Sequence, residues 1–187
     1  MTNPGFFTEN QRAGGNPHDE KDPAASAAII RRHVADGVDL AERHRLPRAV
    51  IDVIRQHHGT TLVKFFYERA LAMSQSPFPG AEPPSVPDEP FRYDGPRPQF
   101  KESAVVSLAD GVEAVTRSAR TITAEKLASL IDRLVSDRVA DEQLDEAPLT
   151  FEDLAKIKNS FTFTLLNMLH SRVAYSQAGE PPSQVKA

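Results

Sequence analysis

Along most of this chain apolar residues recur three and four positions apart, and nowhere do they alternate as a half-buried strand would. Ile29, Ile30, Val34, Val38 and Ala41, with His33 in the same stripe, predict an amphipathic helix from Ala24 to about His44. Leu46-Pro47 restarts the chain, and Val50, Ile51, Val53 and Ile54 predict a short helix ending at His57-His58-Gly59. Thr60 or Thr61 is placed to cap a third helix carrying Leu62, Phe65, Phe66, Ala70 and Met73 and fading near Gln75. Eight prolines between Ser76 and Pro98 then interrupt any regular element, leaving a long loop that is either a lid or slack. Periodicity resumes at Lys101 and runs through Val105, Val106, Leu108, Ala109, Val112 and Val115 to about Arg120. Thr123 caps a helix of Leu127, Leu130, Ile131, Leu134 and Val135. Thr150 and Asp153 form a capping-box-like start to a last helix that carries Ile157, Phe161, Leu165, Leu166 and Leu169 to about Tyr175. The expectation is an all-α helical bundle over 1–175, with a long Pro-rich loop at 76–98. The stretch through Pro23, anchored only by Phe6-Phe7, reads as an arm, and the tail from Ser176 as disordered.

Composition narrows the function classes. A chain of 187 residues with 40% hydrophobic content supports one domain with a real core. A net charge of -4 argues against a broad polyanion-binding face, so neither DNA nor RNA is the expected partner. With no cysteine there is no disulfide framework and no thiolate metal site, so any metal must be held by histidine and carboxylate, a composition compatible with a reducing cytoplasm. Neither terminus reads as a signal peptide and no apolar run approaches ~18 residues, so this chain carries no membrane segment and reads as soluble.

The residues able to do chemistry are few. His33 sits in the apolar stripe of its helix with Gly37 one turn on, which makes room for an inward ring. A lone inward histidine is more often a hydrogen-bonded core residue than a ligand, but the pair His57-His58 changes the balance. On a helix the two rings would diverge by about 100°, so they aim at one centre only where the helix is ending, and Gly59 supplies that freedom. Asp110 lies among Val105, Val106, Leu108, Ala109 and Val112, where a buried carboxylate needs a cation or strong donors. Its plainer reading is an ion pair, or an exposed face shared with Glu113 and Arg117. Three imidazoles with one carboxylate suit a divalent ion that activates water. His18, in Asn16-Pro17-His18-Asp19, is either a turn residue or a proton carrier or phosphate contact. Arg92, Tyr93 and Lys101, in and beside the turn Arg92-Tyr93-Asp94-Gly95-Pro96, are either turn residues or contacts for phosphates and a base.

These residues in this order resemble the cytoplasmic domain of the seven-transmembrane HD phosphohydrolases, the PgpH-type cyclic-di-AMP phosphodiesterases. The matching stretches begin with Phe6-Phe7 to Gln11, Asn16-Pro17-His18-Asp19, His33-Val34 with Gly37, Leu46-Pro47 and Gln56-His57-His58-Gly59-Thr60. They continue with Phe91-Arg92-Tyr93 and Gly95-Pro96, Leu108-Ala109-Asp110 with Glu113-Ala114, Gln143-Leu144-Asp145-Glu146, and Pro148-Leu149-Thr150. The resemblance implies an HD-domain-like helical fold with a two-metal site, usually iron or manganese, that hydrolyses cyclic di-AMP to pApA. It makes His33, His57 and His58 ligands mainly of one metal and Asp110 a ligand of the other. The family's first histidine ligand and its His-Asp dyad fall before Met1; His18-Asp19 has the dyad's letters but matches a later position. The resemblance therefore implies a domain truncated at its N-terminus, with one metal well held at most and weak or absent activity. Family members are membrane-anchored and their HD domain is cytoplasmic. Two rival readings stand beside this one: a non-catalytic fragment that binds a nucleotide or self-associates through an exposed core, or the same fold acting on another nucleotide.

Overall fold

The structure is a computed structural model that describes residues 17–74, 85–117 and 122–177, with side chains to residue 168. The expected arm at Phe6-Phe7, the far end of the tail, the first part of the Pro-rich loop and the helix end at Arg120 lie outside the described residues. Among the described residues six α-helices follow in order: α1 Pro23–Arg43, α2 Arg48–Gln56, α3 Lys64–Ser74, α4 Lys101–Thr116, α5 Ala124–Ala140 and α6 Phe151–Gln177. Among the described residues there is no strand, only an isolated antiparallel bridge between Leu62 and Arg92. The all-α expectation holds.

The helix starts follow local chemistry. Asp22 caps α1 by accepting from the backbone N–H groups of Ala24 and Ala25 at 2.9 and 3.1 Å, with Pro23 in the first turn. Thr150 and Asp153 form the reciprocal capping box of α6, with backbone-to-side-chain bonds of 2.9 and 3.1 Å. One expectation fails: neither Thr60 nor Thr61 caps α3, which begins at Lys64. The Thr61 hydroxyl donates back to the His58 carbonyl at 2.8 Å, so it closes the turn after α2 instead.

The chain divides into two compact units, Met1–Ser107 with Asp141–Pro148, and Leu108–Ala140 with Leu149–Ala187. In the first, α1 packs on α2 and α3. A Cβ on Gly37 would stand 3.1 Å from Ile54 Cγ2, so the glycine sets how closely α1 and α2 approach. The core joins Ala27 of α1 and Phe66 of α3 to Phe91, with Ile30, Leu62, Val63 and Tyr67 around them. Phe91 belongs to the Pro-rich segment, in a short 3-10 turn at Glu89–Phe91. Its carbonyl accepts from the Val63 N–H at 2.8 Å, and the Tyr93 N–H donates to the Thr61 carbonyl at 3.0 Å. The described half of the expected loop is therefore neither lid nor slack: it is a strap held to the core by a buried ring and backbone hydrogen bonds.

In the second unit α5 packs against α6 and buries Leu127, Ile131 and Val135, while α4 buries Leu108 and Val112. The buried positions of α4 are Ser103, Ala104, Ser107, Leu108, Gly111 and Val112, and Asp110, at the margin of that face, is exposed. The expectation of a buried Asp110 is thereby corrected. The Val-rich run around it misled because Val106 and Val115 also face outward.

Candidate metal centre

Two helices of the first unit deliver three imidazoles to one point. His33 projects from the middle of α1, and His57 and His58 follow the last residue of α2. The ligating atoms of the three all lie within 4.8 Å of one another, and among the described residues no other such group of histidine and carboxylate forms. The His33 and His57 Nε2 atoms are 3.2 Å apart, and the His58 and His33 Nε2 atoms 3.1 Å.

Backbone carbonyls decide what those nitrogens offer. His33 Nδ1 lies 2.6 Å from the Ile30 carbonyl and His57 Nδ1 lies 2.7 Å from the Ile54 carbonyl. A carbonyl only accepts, so both Nδ1 atoms carry a hydrogen, and in the neutral rings a metal requires both Nε2 atoms present bare lone pairs. Two lone pairs facing each other at 3.2 Å repel unless a cation lies between them. Nitrogens on one ion at about 2.0–2.1 Å stand about 2.9–3.4 Å apart, so the observed edges fit a shared divalent ion. A carbonyl behind a ligand, as His33 and His57 each have, is the usual support that holds a metal-binding ring in its tautomer.

The turn after α2 makes the convergence feasible. His57 is still helical at φ -62°, and Gly59 turns to φ +54°, a conformation that costs most L-residues. A Cβ at Gly59 would also stand 2.5 Å from Gln143 Oε1. Gly59→Ala is therefore expected to cost about 1–3 kcal/mol in a denaturant melt. A loss below that range would mean the turn relaxes freely.

Tyr93 closes one side. Its ring stacks on His58 at 4.1 Å and 18°, placed there by the strap bonds at Phe91 and Tyr93. A cleft of about 530 Å³ opens beside His58, lined by Tyr93, Val34 and Val38 together with Arg31, Arg32 and Arg55. These arginines escaped the sequence reading. Their signal was the spacing of Arg31 and Arg32 with Ala28, Ala35 and Val38 along one face of α1. Arg31 bonds the Pro90 carbonyl at 3.0 Å and pairs with Asp94, so it also straps α1 to the Pro-rich segment.

The remaining candidates fall elsewhere. His18 lies in the turn before α1, buried against Phe66 at 5.0 Å between ring centres, and is not among the three clustered rings. Arg92 bonds Asp88 at 2.7 Å, the Thr60 carbonyl at 3.0 Å and Asp141 at 3.1 Å. The hydrogen bond to Asp88 does most to raise its pKa above the ordinary arginine value; partial burial opposes the shift and Asp141 adds to it. Lys101 is exposed at the first residue of α4, and Asp110 is exposed further along the same helix, within the second unit.

No family model matches the chain. Over 175 residues it is 38% identical to cyclic-di-AMP phosphodiesterase PgpH of Bacillus subtilis, covering 94% of this chain and 23% of that protein. Over 172 residues it is 37% identical to the protein of the same name from Listeria monocytogenes, covering 92% of this chain and 23% of that protein. The chain thus spans about a quarter of the length of these curated relatives. The crystal structure of the L. monocytogenes phosphodiesterase PgpH HD domain superposes with a TM-score of 0.78 at 36% identity, covering 89% of this chain and 74% of that one. The same domain in complex with cyclic di-AMP gives 0.80. Fold and site together define a helical HD domain, a class that implies a divalent metal. The chain belongs to the PgpH phosphodiesterase family. No described helix is long and apolar enough to cross a membrane.

Proposed function

We propose that this domain is a metal-dependent phosphodiesterase whose substrate is cyclic di-AMP and whose product is the linear dinucleotide pApA. The observation that carries it is the approach of His33 Nε2 to the Nε2 atoms of His57 and His58 at 3.2 and 3.1 Å, with the ligating atoms of all three rings within 4.8 Å of one another and two of the tautomers set by a backbone carbonyl. The printed names of its relatives and the cyclic di-AMP complex of the solved neighbour support the choice of substrate. His33, His57 and His58 would hold one ion and Asp110 would serve a second, with iron or manganese as the expected metals. When bound, such ions bring water into its nucleophilic range and offset charge on the phosphodiester oxygens. The chain's own groups do the rest. The imidazoles fix where the phosphate must sit. Tyr93, already stacked on His58, bounds the space for a base, and Arg31, Arg32 and Arg55 line the same cleft, each paired with a neighbouring carboxylate that phosphate oxygens would have to displace. Of the other candidate substrate contacts, Arg92 bonds two carboxylates and His18 is buried, while Lys101, exposed at the start of α4, is kept as a proposed contact. A cytoplasmic setting fits a substrate of this kind.

The test is titration of the purified chain, loaded with Mn²⁺ or Fe²⁺, with cyclic di-AMP, followed by chromatography for pApA. Metal-dependent binding of cyclic di-AMP, with any pApA formation lost in His57→Ala, is the expected result. A chain that holds the metal yet neither binds nor cleaves cyclic di-AMP overturns this reading.

A further inference from the structure

The turn that aims His57 and His58 is gripped from a segment far away in sequence. Gln143 is only 1% exposed and lies in the stretch that follows α5. Its Oε1 accepts from the Thr60 backbone N–H at 2.9 Å, and its Nε2 donates to the Thr60 hydroxyl at 2.9 Å and to the Asp141 carbonyl at 2.9 Å. Arg92 takes the third polar group of Thr60, its carbonyl, at 3.0 Å while bonding Asp141. Every hydrogen-bonding group of Thr60 is thus held by groups that themselves share Asp141. Gly59 is pressed against the same amide, since a Cβ there would sit 2.5 Å from Gln143 Oε1.

We propose that Gln143 is a positioning residue for the metal centre: by holding Thr60 it fixes the Gly59 turn and with it the direction of the His57 and His58 rings. The physical argument is one of alternatives. A turn with a glycine at positive φ has other conformations within reach, and a buried amide that satisfies both an N–H and a hydroxyl of the next residue selects one of them. Leucine at 143 keeps the volume but leaves the Thr60 N–H without its acceptor, so the turn must shift to find another. The two consecutive histidines then lose their common aim. The inference rests on the three histidines holding a divalent ion.

The experiment uses Co²⁺ as the probe, read by titration and by its visible ligand-field bands, on the wild-type chain, Gln143→Leu, Gln143→Glu and Leu144→Ala. Supports of ligand orientation are typically worth 10–100-fold in affinity, so Q143L is expected to weaken Co²⁺ binding by roughly that factor and to change the band pattern. Q143E keeps an acceptor for the Thr60 N–H and is expected to lose less. L144A removes buried apolar surface from the same segment but leaves the amide clamp intact. It is expected to lower the melting temperature while binding Co²⁺ with the wild-type spectrum. If Q143L does not fold, Q143E carries the test, through a weaker affinity and a shifted spectrum than L144A shows. Wild-type affinity and spectrum in the folded Gln143 variants would overturn the proposal. Absence of Co²⁺ binding by the wild-type chain would overturn the metal reading and this inference together.

Discussion

Replacing His33 by alanine is expected to strip the domain of its divalent metal. His33 is the apex of the cluster, with its Nε2 within 3.1–3.2 Å of both other Nε2 atoms, and it alone comes from α1. Without it two imidazoles from consecutive residues remain, tied to the single turn that ends α2. The lost affinity should be at least about 100-fold, beyond what a supporting hydrogen bond is worth, because a donor itself is gone. Elemental analysis after dialysis should fall from near one ion per wild-type chain to near zero, with helical circular dichroism unchanged. A His33→Ala protein that keeps its metal would show that the three rings do not act as one site.

Phe91→Ala is expected to produce the largest loss of stability, about 3–5 kcal/mol in chemical denaturation. Phe91 is 3% exposed, meets Ala27 and Phe66 in the core of the first unit, and sets its ring against Tyr67 at 5.5 Å. Truncation removes the transfer term of a large ring and leaves a void between α1, α3 and the strap. The loss should also loosen Tyr93, two residues on, whose N–H is bonded to Thr61 and whose ring covers His58. A loss under about 1 kcal/mol would mean that the strap rides on the core without being part of it.

Much of the helical order was legible because it is local. The cap at Thr150, the restart at Leu46-Pro47 and the glycine after His58 act within a few residues of the features they control. The convergence of His57 and His58 could be argued from the same kind of evidence, since only a helix that is ending lets neighbouring rings share a target. The errors have a common origin. Thr60 and Thr61 have the residue type of a helix cap, but their hydroxyls are taken by Gln143 and by the His58 carbonyl. The Pro-rich segment lacks any period, so nothing in it announces that Phe91 is core. Asp110 has apolar neighbours in sequence, yet it sits at the margin of the buried face of α4 and is exposed.

The sequence alone determined the fold class, the helix order, the absence of thiolate chemistry and the identity of the three imidazoles, because periodicity, residue type and capping are written within one or two turns of chain. Only the tertiary structure decided which nitrogens face one another and which strap covers them. It also decided which amide, 83 residues from Thr60, grips the turn between them. Those contacts depend on the packing of α1, α2 and the two connecting segments, and no local pattern encodes a distance across that much chain.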